Sequence, residues 1–137
     1  MIECDKEYFL EDKIKQVIVM RTDLNMRRGK QIAQGSHASM MFITKNLFEN
    51  ISLLSFKPLN VEKEWLNGSF IKITVGANSE DELLDLYSKA KLAGITAYKC
   101  EDSGLTEFHG VKTLTCIALG PDFSSKLDKI TGGLKLL

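Results

Sequence analysis

The chain has 137 residues, 44% of them hydrophobic, and its formal charges cancel. That length gives one domain with a core of its own and leaves no room for two ordinary ones. No apolar run approaches the roughly 20 residues of a membrane span, and the mostly acidic residues 1–13 lack the basic-then-apolar layout of a secretory signal.

Three cysteines, Cys4, Cys100 and Cys116, are an odd number without a close pair. They point to reduced thiols in a cytoplasmic protein rather than to a disulfide framework or a zinc site. Cys100 and Cys116 fall in apolar, strand-like runs and are expected in the core. Zero net charge excludes a global nucleic-acid signature, but the charge is unevenly spread. Residues 1–13 carry five acids and two lysines, so the remainder holds sixteen basic against thirteen acidic residues, a net +3. Between Lys15 and Lys30 there are five basic residues and one acid, Asp23, which concentrates positive potential there.

The chain divides into an acidic extension, 1–14, and a domain, 15–137. Lys15 to Met20, with its run Val17-Ile18-Val19-Met20, reads as a strand buried on both faces. A loop, Thr22 to Arg28, leads into a helix from Gly29 to about Asn46. Lys30, Gln34 and His37 share one of its faces, and Ile32, Ser36, Met40, Ile43 and Leu47 form the apolar face expected to meet the sheet. Asn60 is placed to cap a short helix, Val61 to Leu66. Ser69 to Val75 reads as a strand. Ser79 and Glu82 form a capping box for a helix to Ala93, which Gly94 ends. Ile95 to Glu101 is a third strand and Asp102 to Lys112 a loop. Thr113 to Leu119 is a fourth strand, broken by Gly120-Pro121. Phe123 to Ile130 is a last helix, and the tail Leu134 to Leu137 is either an edge strand or packed coil.

This order predicts a single α/β domain of three layers, α/β/α, around a four-stranded mixed sheet. Ligands of such sheets bind beyond the carboxyl ends of the strands. With the first and third strands parallel, the loops Arg21–Gly29 and Asp102–Gly110 meet at that edge.

Lys30 lies in the first turn of its helix, where the dipole disfavours a cation. An anion held at that terminus by Arg27, Arg28, Lys30 and free backbone N–H groups accounts for the placement. Asp102-Ser103-Gly104-Leu105-Thr106 can present a carboxylate and a hydroxyl to one cavity, although Asp-Ser-Gly more commonly forms a plain turn. Thr113 and Thr115 share a face of their strand. No Walker, Gly-x-Gly-x-x-Gly or Gly-x-Ser-x-Gly motif is present, and no Cys/His/Asp cluster has metal-ligand spacing.

Taken together, three stretches resemble a known family. Arg21 to Ala38, reading Arg-Thr-Asp-Leu-Asn-Met-Arg-Arg-Gly-Lys-Gln-Ile-Ala-Gln-Gly-Ser-His-Ala, is similar to the N-terminal signature of the type-2 peptidyl-tRNA hydrolases. Asp102 to Pro121 resembles the family's second signature, and Asp128 to Leu137 its C-terminus. The chain departs at Ile32, where the family often has Ala, and at Val111-Lys112, where it commonly has Pro-Gly. The resemblance implies an esterase that frees peptide from the tRNA 3′ ribose, often a homodimer, cytoplasmic, with no metal or cofactor. It implies Lys30, Asp102 and Thr106 as catalytic, with Gln34, His37 and one of Thr113 and Thr115 in support. Arg21, Arg27, Arg28 and Lys112 are expected to contact tRNA phosphates. An inactive RNA- or protein-binding domain, or an esterase for aminoacyl- or D-aminoacyl-tRNA, are the alternative readings.

Overall fold

The structure is a computed structural model and describes residues 12–49, 55–105 and 107–137. The bulk of the acidic extension, with Cys4, lies outside the described residues, as does Thr106. In chain order the elements are β1 (Ile14–Arg21), α1 (Arg28–Glu49), α2 (Asn60–Asn67), β2 (Ile71–Ala77), α3 (Glu80–Leu92), β3 (Ala97–Asp102), β4 (Thr113–Phe123) and α4 (Ser124–Thr131). They form the expected single α/β domain around a four-stranded mixed sheet, in the order β2-β1-β4-β3. β1 and β2 are parallel, while β4 runs antiparallel to both β1 and β3. The carboxyl ends of β1, β2 and β3 therefore share one edge with the start of β4. The loops after β1 and β3 emerge there on either side of the start of β4.

β1 is buried on both faces because two helical layers cover it. Val17 and Val19 join Leu83, Leu86 and Ala90 of α3 and Leu127 of α4 on one side. Ile18 and Met20 meet Ala38 of α1, with Cys100 and Cys116, on the other. Ile14 and Phe42 pack with Trp65 of α2, whose indole N–H donates to Ile71 O. A polar residue inside this strand is tolerated because it is fully bonded. Gln16 Nε2 donates to Ser39 O at 2.9 Å, and Ser39 Oγ donates to Gln16 Oε1 at 2.6 Å, which fastens α1 to the sheet.

The structure reverses the expected orientation of α1. The residues it buries are Gln34, Gly35, Ala38 and Phe42, whereas Ile32 and Met40 remain 64% and 55% exposed. Small side chains let the helix lie close to the sheet, and Gln34 is buried because its amide finds partners there. Periodicity of apolar residues alone selects the wrong face. Smaller differences have local causes. Leu59, not Asn60, precedes the first turn of α2, and its N–H donates to Glu62 Oε1 at 2.8 Å. Ser79 caps α3 as expected, accepting from Glu82 N, but Glu82 returns its carboxylate to Asn78 N rather than to Ser79.

β4 does not stop at Gly120-Pro121 but runs through it to Phe123. The ladder with β1 shifts register there, passing from Val17↔Leu119 to Lys15↔Asp122. Pro121 sits in the irregularity, where no ladder N–H is needed. Gly120 takes φ 88°, and a Cβ on it would stand 2.8 Å from Asp122 N, so the bend needs glycine. The tail settles as an edge segment. Gly76 N donates to Lys135 O and Leu137 N to Thr74 O, shielding the outer rim of β2.

Leu83 is fully buried where α3 meets the sheet. Leu83→Ala should lower the unfolding free energy by about 2–5 kcal/mol, read as a fall in the urea midpoint. An unchanged midpoint would contradict this packing.

Candidate active site

The site is assembled by α1 and the two strands it covers. Lys30, in the first turn of α1, reaches Asp102, the last residue of β3, with Nζ 2.6 Å from Oδ1. Both side chains are largely buried, at 14% and 10% exposure. One turn further along α1, Gln34 Nε2 donates to the same Oδ1 at 3.3 Å. The other carboxylate oxygen, Oδ2, accepts the Gly104 N–H at 2.9 Å. Asp102 thus takes an ammonium, a side-chain amide and a backbone N–H. The hydrogen bond from Lys30 comes first among the causes that hold its carboxyl below the ordinary value, with the Gly104 N–H adding to it and partial burial opposing. The carboxylate is ionised throughout the neutral range. The anion that explains Lys30 at a helix N-terminus is the protein's own.

Gln34 is itself fixed from behind. Its Oε1 accepts from Thr115 Oγ1 at 2.6 Å and from Cys100 Sγ at 3.4 Å, which orients its amide so that N–H faces Asp102. Thr115 can do this because β4 bulges. Cys100 pairs with Cys116 and Glu101 with Leu114, leaving Thr115 as the extra residue. Both Thr115 Oγ1 and Cys116 Sγ reach Gln34, the latter at its backbone O, 3.4 Å away. The bulge therefore turns two successive side chains toward α1, where an unbroken strand would present one.

The loop that follows β3 is held just as firmly. Gly104 has φ 86°, and a Cβ there would stand 2.5 Å from Val111 O. Gly110 N donates to Gly104 O at 2.9 Å. Glycine is needed to let the two arms of the loop close on each other while one N–H points at Asp102.

The structure brings together Lys30, Gln34, Asp102 and Thr115. Thr106 belongs to the same loop by sequence and lies outside the described residues. Thr113 is half-buried and donates to Val111 O at 2.8 Å, apart from the cluster. His37 is exposed and lines a neighbouring hollow of about 330 Å³ with Met41, Thr44, Lys45, Cys100 and Glu101. The face shared by Lys30, Gln34 and His37 thus turns from buried to exposed along the helix. Arg21 is occupied internally. Its Nε and Nη2 donate to Asp23 at 3.0 and 2.7 Å, and its Nη1 to Leu114 O at 3.0 Å. Arg27 and Lys112 stand at the surface with ion-pair partners Glu107, at 2.9 Å, and Glu101, at 3.7 Å. Arg28 is exposed and borders an open apolar groove of about 820 Å³ on the other flank of α1, with Ile32, Met40, Phe70 and Leu137.

Among the described residues no three His, Cys, Asp or Glu side chains gather as metal ligands. Sequence reasoning missed Cys100 as a neighbour of the cluster and the Gly104 N–H as a partner of Asp102. The Asp-Ser-Gly turn was a signal for the second, since Asp side chains often accept from the N–H two residues on.

A family profile described as Peptidyl-tRNA hydrolase PTH2 matches residues 14–137. A peptidyl-tRNA hydrolase from Methanothermobacter thermautotrophicus is 44% identical over 127 residues, spanning 90% of this chain and 100% of that protein. One from Methanocaldococcus jannaschii is 40% identical over 124 residues, with coverage of 90% and 100%. A probable peptidyl-tRNA hydrolase 2 from Dictyostelium discoideum is 40% identical over 135 residues, or 98% of this chain and 59% of that protein.

Gln34→Ala leaves the Thr115 hydroxyl without its amide acceptor and Asp102 without an amide donor. It should lower the unfolding free energy by about 1–3 kcal/mol. Chemical denaturation checks it, and wild-type stability would mean that the buried amide holds nothing together.

Proposed function

The chain belongs to the peptidyl-tRNA hydrolase PTH2 family, and we propose that its site at the start of α1 hydrolyses the ester joining a peptide to the tRNA 3′ ribose, freeing tRNA for reuse. The observation that supports it best is the Lys30–Asp102 pair, 2.6 Å apart and held at the open edge of the sheet by Gln34 and Thr115.

Ester hydrolysis needs an aligned water and stabilisation of the charge that develops on the carbonyl oxygen. Asp102 Oδ1 is saturated by Lys30 and Gln34, while Oδ2 takes one N–H and has a second lone pair to hold a water. A carboxyl with a depressed pKa is a weak base. Its main contribution is therefore to orient the water, accepting a proton only as the tetrahedral intermediate forms. Lys30 supplies a fixed positive charge for the oxyanion. Its burial strengthens that interaction. Thr106, from the loop that carries Asp102, positions the water or the ribose hydroxyl. Gln34 and Thr115 act one step back, by positioning the carboxylate. Thr113 and His37 flank the site.

Arg27, Arg28 and Lys112 are exposed and are the groups we assign to tRNA phosphates, Arg27 and Lys112 by exchanging their ion pairs with Glu107 and Glu101. Arg21 serves by bracing the loop after β1. No helix of the described residues is long and apolar enough to cross a membrane, and we place the protein's work in the cytoplasm, where translation releases peptidyl-tRNA. We also assign the apolar groove beside α1 to a second copy of the chain. Ile32, Met40, Phe70 and Leu137 are 64%, 55%, 49% and 53% exposed along it, and apolar side chains grouped this way suit a protein contact.

Three experiments test these assignments. Asp102→Asn should cut turnover of peptidyl-tRNA by about 10²-fold or more with tRNA affinity nearly intact, and Arg28→Ala should weaken tRNA binding and shrink its salt slope by about one with turnover at saturation retained. Near-normal turnover of Asp102→Asn would remove the carboxylate from the mechanism, and tRNA binding without hydrolysis by the unmodified chain would leave only a binding domain. Light scattering should report a dimer that Ile32→Glu with Met40→Glu converts to monomer, and a monomeric unmodified chain would reject the second-copy assignment.

A further inference from the structure

Two thiols adjoin the site without a part in the chemistry described above. Cys100 and Cys116 are direct partners across the antiparallel β3–β4 ladder, where Cα atoms stand about 4.5–5.5 Å apart. That spacing lies within the range a disulfide spans. Both sulfurs face α1, since both touch Gln34: Cys100 Sγ lies 3.4 Å from its Oε1 and Cys116 Sγ 3.4 Å from its backbone O. Cys116 is sealed, but Cys100 forms part of the wall of the 330 Å³ hollow shared with His37, Lys45 and Glu101. That hollow borders Cys100 and not Cys116.

We propose that Cys100 and Cys116 form a peroxide-sensitive dithiol whose closure to a cross-strand disulfide withdraws the support of Gln34 and turns the adjacent site off. Cys100, on the wall of the hollow, is the attacking sulfur, and the sealed Cys116 is the resolving thiol. The Cys100 thiolate attacks one oxygen of a peroxide and the O–O bond breaks. Cys100 becomes a sulfenic acid, and the departing hydroxide takes a proton to leave as water. Cys116 sulfur then attacks the sulfenic sulfur. The S–O bond breaks, the S–S bond forms, and the second hydroxide leaves as water with the Cys116 proton. Two thiols are oxidised by two electrons and one peroxide is reduced to two waters.

Closure brings the sulfurs to about 2.05 Å, so neither S–H remains to donate to Gln34. The Gln34 amide keeps its bond from Thr115 but loses the contact that limits its swing. Its 3.3 Å bond is the longest of the three that Asp102 accepts and the first of them to open. The surface cations that face tRNA lie outside this chain of contacts. Oxidation should therefore act on turnover and leave tRNA affinity alone.

The effect on turnover rests on the hydrolase reading, whereas the disulfide itself does not, so each is read separately. The test treats the full chain carrying Cys4→Ser, which removes the third thiol, with hydrogen peroxide. Peptide mass mapping should show Cys100 linked to Cys116 with the loss of two hydrogens, and thiol alkylation should fall to zero and return with dithiothreitol. In parallel, turnover of peptidyl-tRNA should drop at least about tenfold with tRNA affinity unchanged, and recover on reduction. In Cys116→Ser, peroxide should leave a sulfenic acid on Cys100 that a dione probe captures, and no linked peptide. Thiols that stay alkylatable, or that over-oxidise without linking, overturn the dithiol. A linked pair with undiminished turnover overturns its coupling to the site. A reduced protein without hydrolase activity sinks the functional reading, while the mass map still decides the disulfide.

Discussion

The buried ion pair of Lys30 and Asp102 is the constraint around which the edge of the domain is built. Two opposite charges are withdrawn from water at the junction of α1 and β3. Such a pair is tolerable only when the remaining hydrogen-bonding positions are filled. On the carboxylate, Gln34 and the Gly104 N–H fill all but one of them, on Oδ2, and each addition imposes a further requirement. Gln34 must be buried, so its own oxygen needs donors, which Thr115 and Cys100 provide. Thr115 must face α1, so β4 must bulge. Gly104 must point its N–H inward, so the loop must fold back on Gly110 and Val111 with a left-handed residue at the bend.

This chain of requirements explains why α1 packs with the face it does. A helix that turned Ile32 and Met40 inward would bury more hydrocarbon but would carry Lys30 and Gln34 away from Asp102. The observed orientation instead uses Gly35 and Ala38 to approach β1 closely and uses Ser39 to satisfy the otherwise isolated Gln16. The apolar surface left over becomes the groove on the far flank of the helix. One rotation of one helix thus settles the polar cluster and the exposed apolar face at the same time.

Charge is divided between two jobs. Lys30 and Arg21 are held by carboxylates and by backbone, in geometry too constrained for a mobile phosphate ligand. Arg27, Arg28 and Lys112 stay at the surface, where screening by salt is strong and the pairs of Arg27 with Glu107 and Lys112 with Glu101 exchange readily. A chain of zero net charge can still present local positive potential, because what matters is where its cations are unburied.

The sequence by itself determined the α/β class, the element order, the mixed sheet and the edge at which the loops converge. Those follow from local pattern: an apolar run in β1, a cap at Ser79, glycine and proline as punctuation. It also singled out Lys30 and Asp102, through an unfavourable cation at a helix start and an acid in a turn, and the family they resemble. Only the tertiary structure decided which flank of α1 is buried, which threonine meets Gln34, that β4 passes through Gly120-Pro121, and that Arg21 bonds Asp23 and Leu114 O. Each of these depends on contacts between residues far apart in the chain. The burial of Gln34 depends on Thr115 and Cys100, and the inward turn of Thr115 on a bulge opposite Cys100 and Glu101. Hydrophobic period cannot report a polar side chain that is buried because remote partners satisfy it.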